Sequence, residues 1–124
     1  DSLTRFRDTL LETEAYGFAE VAADQAELGR RVRDLLASKG ISSVAADGFG
    51  APGVVVAYTD DAGIQTGKKF AEAGLQIAAG VPLMCDEPED FRTFRLGLFG
   101  LDKLANIDRT VASLEQAIDD VAVA

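Results

Sequence analysis

The spacing of hydrophobic residues predicts that the chain begins with helix. From Leu3 to Lys39, apolar or small side chains recur every three or four positions, the period of a helix with one buried face. We expect a bend or break at Gly17, because glycine weakens a helix. Lys39 and Gly40 are a suitable helix end, since glycine tolerates the left-handed closing conformation. The clearest stripe consists of Phe18, Val21, Ala22, Gln25, Leu28, Gly29, Val32, Leu35 and Leu36.

A second apolar seam predicts that the chain also closes with a helix. Asn106 can cap its first turn, and Asp108 suits that end because a helix N-terminus attracts carboxylates. The seam is spaced by four, three, four and three residues and consists of Ile107, Val111, Leu114, Ile118 and Val121.

The middle of the chain predicts short strands. The β-branched run Val54–Tyr58 indicates a strand buried on both faces. Residues 41–46 are a further strand candidate, and residues 75–79 a short extended piece. The two aspartates at residues 60–61 can start a short helix that ends at Gly74.

Residues 91–100 alternate as a strand with two different faces should. Arg95 and Gly97 lie between apolar positions, so we expect them on the face away from the helices. The apolar positions are Phe94, Leu96 and Leu98. The element order therefore predicts one α+β domain over residues 1–124, a small and mostly antiparallel sheet with helices packed on one face.

The composition disfavours several functions. The hydrophobic share of 48% supports a real core, and no apolar run is long enough to span a bilayer. A net charge of −9 disfavours nucleic acids and membranes as partners. The absence of histidine disfavours a self-sufficient hydrolase or zinc enzyme. Cys85 is the only cysteine, which fits a reducing cytoplasm.

Arg95 is the candidate binding residue. Gly97 leaves the same face of the strand open, so another surface can approach closely. A guanidinium in that place can hold a carboxylate through two parallel hydrogen bonds. The alternative, from the residues alone, is an edge-strand arginine that pairs with one of the 21 acidic side chains.

Two segments resemble one enzyme family. GLQIAAGVPL at residues 74–83 and FRLGLFG at residues 94–100 resemble the C-terminal small domain of class V pyridoxal-phosphate-dependent aminotransferases, in the alanine–glyoxylate and serine–pyruvate group. The order of the other elements agrees from about Leu3 onward. The resemblance implies that Arg95 binds the α-carboxylate of the amino acid or 2-oxo acid substrate. It also implies that the parent enzyme is a homodimer.

The same resemblance implies that the chemistry lies elsewhere. In that family a large N-terminal domain provides the Schiff-base lysine, the aspartate that faces the pyridine nitrogen, and the phosphate cup. The four lysines of this chain match no cofactor position. We expect the large domain to precede Asp1, residues 1–17 to form an inter-domain helix, and this chain alone to bind no pyridoxal phosphate. The lysines are Lys39, Lys68, Lys69 and Lys103.

An inter-domain helix should expose apolar residues once its partner is removed. Leu3, Phe6 and Leu10 are the residues expected on that surface. Two alternatives of other classes stay open. One is a stand-alone α+β module that binds a small acid through Arg95, and the other is an interaction domain whose Gly97 face docks a protein.

Overall fold

A computed structural model describes residues 1–123 of the chain. Within them the helices are α1 (Ser2–Tyr16), α2 (Phe18–Ser38), α3 (Ala62–Gln65), α4 (Lys68–Glu72), α5 (Leu101–Leu104) and α6 (Ile107–Ala122). The strands are β1 (Val54–Tyr58), β2 (Ala78–Ala79) and β3 (Thr93–Gly97). The α+β class predicted from the sequence is confirmed. No helix in this part of the chain is both long and apolar enough to cross a bilayer.

The N-terminal helical region divides at Gly17, as predicted. Gly17 has a φ of 107°, a conformation that residues with side chains rarely adopt, so the chain changes direction before α2 begins. Within Ser2–Tyr16, α1 buries no residue. α2 carries the packing, and its buried residues are Leu28, Gly29, Val32, Leu35 and Leu36.

The three strands form one antiparallel sheet in the order β1, β3, β2. Arg95 of β3 pairs with Val56 of β1 on one side and with Ala78 of β2 on the other. The predicted faces of β3 are confirmed: Arg95 is half-buried and Gly97 is exposed, while the opposite face is buried. That buried face presents Phe94, Leu96 and Leu98.

Helices cover the apolar face of the sheet. α2 packs against β1 and against α6. Val55 and Ala57 of β1 are fully buried in the core that these elements share. The predicted cap of α6 is confirmed, because Oδ1 of Asn106 accepts a hydrogen bond from the backbone N–H of Arg109 at 3.0 Å. α6 adds Leu114, Ala117, Ile118 and Val121 to the core.

The burial of β1 differs from the prediction. Val54 and Val56 are only half-buried, so the strand is not buried on both faces. The face of the sheet that carries Arg95 is only partly covered: Thr93 is buried there, Arg95 is half-buried and Gly97 is exposed. A run of β-branched residues therefore indicates a strand without showing how many of its faces are covered.

Residues 41–46 do not form the predicted strand. They make an isolated antiparallel bridge between Ser43 and Ala57. The backbone N–H of Val44 donates to the carbonyl of Val56 at 2.9 Å, and the chain then bends away. The bend ends the pairing before a ladder can form, although the segment still covers part of the outer edge of β1.

The helix predicted to start at residues 60–61 is two short helices, α3 and α4. Asp61 begins α3, because its Oδ1 accepts hydrogen bonds from the backbone N–H groups of Gly63 and Ile64 at 2.7 and 3.1 Å. Gly67 then adopts a φ of 80° and separates the two helices. α5 was not predicted, since four residues are too few to show a helical period.

Candidate functional site

Arg95 lies at the centre of the open face of the sheet. β3 is the middle strand, so Arg95 has a backbone neighbour on both sides. Its side chain projects from the face opposite to buried Phe94 and Leu96. The sequence placed this residue on the correct face, but the alternative of an edge-strand arginine is wrong because β3 is not an edge.

Within residues 1–123, the guanidinium of Arg95 is hydrogen-bonded through Nε alone. Its Nε donates a hydrogen bond to the carbonyl of Ala79 at 2.9 Å. The salt bridges found within residues 1–123 all involve other side chains. Over the same residues Nη1 and Nη2 donate to no protein acceptor. The arrangement leaves the two terminal nitrogens able to meet a carboxylate side by side.

Gly97 keeps the surface beside Arg95 open. A methyl group added there would meet only ring carbons of Phe99, at 3.8 and 3.9 Å, which is ordinary contact. The Phe99 ring itself lies against Gly53, where an added methyl carbon would come within 2.4 Å of it. The open face therefore combines a cation, a bare backbone surface and an exposed aromatic ring.

The loop between β2 and β3 is organised by Glu87. Its carboxylate accepts hydrogen bonds from the backbone N–H groups of Leu83, Met84 and Cys85, at 2.7, 3.0 and 2.8 Å. These backbone bonds, those of Cys85 and Met84 first, lower the pKa of Glu87 to about 2. The sequence showed only an acidic run at residues 86–90 and did not reveal which carboxylate would turn inward.

Cys85 is exposed on this loop. Partial desolvation, followed by the hydrogen bond and negative charge of Glu87, raises the pKa of its thiol. The thiol is therefore protonated at neutral pH and is a weak nucleophile. The charged neighbour of Cys85 is therefore the carboxylate of Glu87.

Two of the four lysines, Lys39 and Lys69, are held in ion pairs. Nζ of Lys39 donates to Asp119 at 2.7 Å, and this contact raises the pKa of Lys39. Lys69 pairs with Asp61 at 2.5 Å. A lysine that attacks a carbonyl group needs a lowered pKa, so the raised pKa of Lys39 works against that chemistry. Among residues 1–123, no three His, Cys, Asp or Glu side chains are grouped so that they could hold a metal ion.

The apolar surface expected on α1 is present. Leu3, Phe6 and Leu10 are 80%, 63% and 45% exposed, and we call these three residues the α1 apolar face. Leu11 and Phe18 are also exposed nearby. Large side chains left in water at helical spacing indicate a surface that another body covers.

Compared with known proteins, the chain matches no family model and no curated protein sequence.

Proposed function

We propose that this chain is the substrate-carboxylate-binding small domain of a class V pyridoxal-phosphate-dependent aminotransferase. The parent enzyme transfers an amino group between an amino acid and a 2-oxo acid such as glyoxylate or pyruvate. The observation that carries the proposal is Arg95, whose terminal nitrogens have no protein acceptor within residues 1–123 although it lies mid-sheet in a strongly acidic chain. The resemblance of residues 74–83 and 94–100 to the family supports the same conclusion.

In this proposal Arg95 orients the substrate. Nη1 and Nη2 donate to the two carboxylate oxygens, while Nε stays on the Ala79 carbonyl. A carboxylate held by two bonds fixes the rotation of the substrate, and the Cα–H bond is thereby aimed at the place where the proton is removed. Pyridoxal phosphate, when bound by the large domain, supplies the electron sink for that proton loss.

The proposal also assigns a role to α1. The α1 apolar face is exposed, and the helix contributes no buried residue over Ser2–Tyr16. Tyr16, at the end of α1, packs against the core, whereas the α1 apolar face does not. That face is better explained by contact with the large domain of a homodimeric parent. The separate cofactor site in this proposal comes from the resemblance, which places the Schiff-base lysine in the large domain.

Experiments on the isolated chain test whether the cofactor chemistry belongs to the proposed large domain. We expect that it shows no turnover of alanine with glyoxylate and that borohydride traps no pyridoxal phosphate adduct on a defined lysine. The product of the complete coding sequence, assayed in the same way, should form pyruvate and glycine. A borohydride-trapped adduct together with turnover in the isolated chain would contradict the proposal.

The stand-alone acid-binding module is the second candidate. The observation in its favour is that the hydrophobic core closes within this chain, with contributions from α2, the sheet and α6. A module of this kind should bind glyoxylate or pyruvate unaided, and calorimetric titration of the isolated chain measures this. Tight binding that is lost in Arg95→Ala, with a coding sequence lacking a cofactor domain, would favour the module over the aminotransferase.

A further inference from the structure

β2 has only two residues, yet it provides the acceptor that holds Arg95. The carbonyl of Ala79 receives the Nε–H of Arg95 at 2.9 Å. A guanidinium can present either its Nε side or its two terminal nitrogens to a carboxylate. With Nε occupied, the terminal pair is the edge that remains. The position of β2 thus decides which way Arg95 presents its donors.

Gly80 decides how closely β2 approaches β3. A Cβ atom added at Gly80 would lie 1.7 Å from the carbonyl oxygen of Thr93 and 2.5 Å from its carbonyl carbon. Both are backbone atoms of a residue that is only 2% exposed, so they cannot move aside as the end of a flexible side chain could. On the other side, the backbone N–H of Gly80 donates to the carbonyl of Gln65 at 2.9 Å. Glycine is required here for close approach.

We infer that Gly80 is a positioning residue for carboxylate recognition by Arg95. By letting β2 lie against β3, it places the Ala79 carbonyl where it fixes Nε and turns Nη1 and Nη2 outward. A side chain at position 80 pushes the strands apart, and Arg95 then regains rotamer freedom that it must lose again on binding. The inference rests on the proposed function, since it takes Arg95 as the group that receives the substrate carboxylate.

The unsubstituted chain provides the first test. In a sample with ¹⁵N-labelled arginine, the Nε–H of Arg95 should exchange with solvent more slowly than that of Arg5, which makes no side-chain hydrogen bond within residues 1–123. Gly80→Ala should bring the Arg95 exchange rate to that of Arg5. Gln76→Ala, a change at an exposed position just before the same strand, should leave it slow. Equal exchange for Arg95 and Arg5 in the unsubstituted chain would overturn the inference without any variant.

Kinetics in the full-length aminotransferase provide the second test. Gly80→Ala should raise the KM for the amino acid and the 2-oxo acid by about tenfold, the usual effect of one lost hydrogen bond. Reaction with an amine that lacks a carboxylate should stay unchanged. If Arg95→Ala impairs the enzyme while Gly80→Ala does not, the positioning role is wrong and the proposed function stands. If Arg95→Ala has no effect, both the positioning role and the proposed function are wrong. If Gly80→Ala slows the reaction of the amine as much as that of the amino acid, Gly80 has only a structural role.

Discussion

At the scale of single residues, Glu87 is a carboxylate whose hydrogen bonds organise the backbone of its own loop. Three consecutive N–H groups point at its side chain, and the loop carries two non-glycine residues with positive φ, Met84 and Asp86. These bonds favour the charged form, which is why the pKa of Glu87 falls to about 2. A lowered pKa means that Glu87 stabilises the loop above its unfolded pKa, and that the contribution disappears as the pH falls toward 2.

Replacing this carboxylate should activate the neighbouring thiol. Desolvation is the largest cause of the raised pKa of Cys85, and the hydrogen bond and charge of Glu87 raise it further. Glu87→Gln removes that charge, so more thiolate exists at a given pH. We expect alkylation of Cys85 by iodoacetamide at pH 8 to become about two- to tenfold faster. The pH–rate midpoint should also move to lower pH.

Glu89→Gln is the matched control, because it removes one charge from the same loop without touching the three amides. Its labelling rate should stay close to that of the unsubstituted chain. Equal rates in Glu87→Gln and Glu89→Gln would contradict the assignment of Glu87 as the group that controls the thiol.

The side of the sheet on which Arg95 lies could be predicted from the sequence, whereas its hydrogen bond could not. The alternation of Arg95 with Phe94 and Leu96 depends only on neighbouring residues, and the structure shows the same alternation. The partner of Nε is a backbone carbonyl 16 positions earlier, at Ala79. Every residue type has such a carbonyl, so no side-chain pattern marks it. The same holds for the inward turn of Glu87.

At the scale of elements, α1 behaves as an appendage of the packed domain. It buries no residue over Ser2–Tyr16, and its ends are defined by the Asp1 cap and by Gly17. Phe6→Ser should therefore change the free energy of unfolding of the chain by no more than about 0.5 kcal/mol. It should nevertheless reduce self-association, because it removes an exposed aromatic ring from the α1 apolar face, through which we expect copies of the chain to associate.

Leu28→Ala is the comparison for that prediction. Leu28 is fully buried, so its truncation should cost about 2–5 kcal/mol in urea unfolding. Sedimentation at high concentration measures the self-association. A strictly monomeric unsubstituted chain, or a Phe6→Ser variant as unstable as Leu28→Ala, would contradict the interpretation of α1.

The element predictions failed where length and tertiary contact decided the outcome. The apolar stripes of α2 and α6 run for several turns, and both helices form as their spacing predicts. Residues 41–46 have only an isolated bridge to β1, because the chain bends before a second pair can form. Val54 and Val56 are half-buried because their burial depends on where the helices pack. The composition of a strand does not determine that position.

At the scale of the whole molecule, the domain has one covered and one open sheet face. The covered face packs against α2 and α6 and forms the core with them. The α+β architecture was predicted from the order of the elements along the sequence. The open face presents Arg95 beside Gly97 and Phe99. A side chain on a central strand has backbone neighbours on both sides, which suits the orienting role proposed for Arg95.

The central claim is tested most directly by the kinetics of Arg95 variants in the proposed full-length aminotransferase. Arg95→Ala should lose about 2–4 kcal/mol of transition-state stabilisation with amino acids, on the order of tens- to a thousand-fold in kcat/KM. Arg95→Lys should recover only part, because an ammonium group lacks the planar fork. Amines without a carboxylate should be far less affected, and pyridoxal phosphate should still bind. A folded, cofactor-loaded Arg95→Ala enzyme with the amino-acid kinetics of the unsubstituted protein would contradict the account.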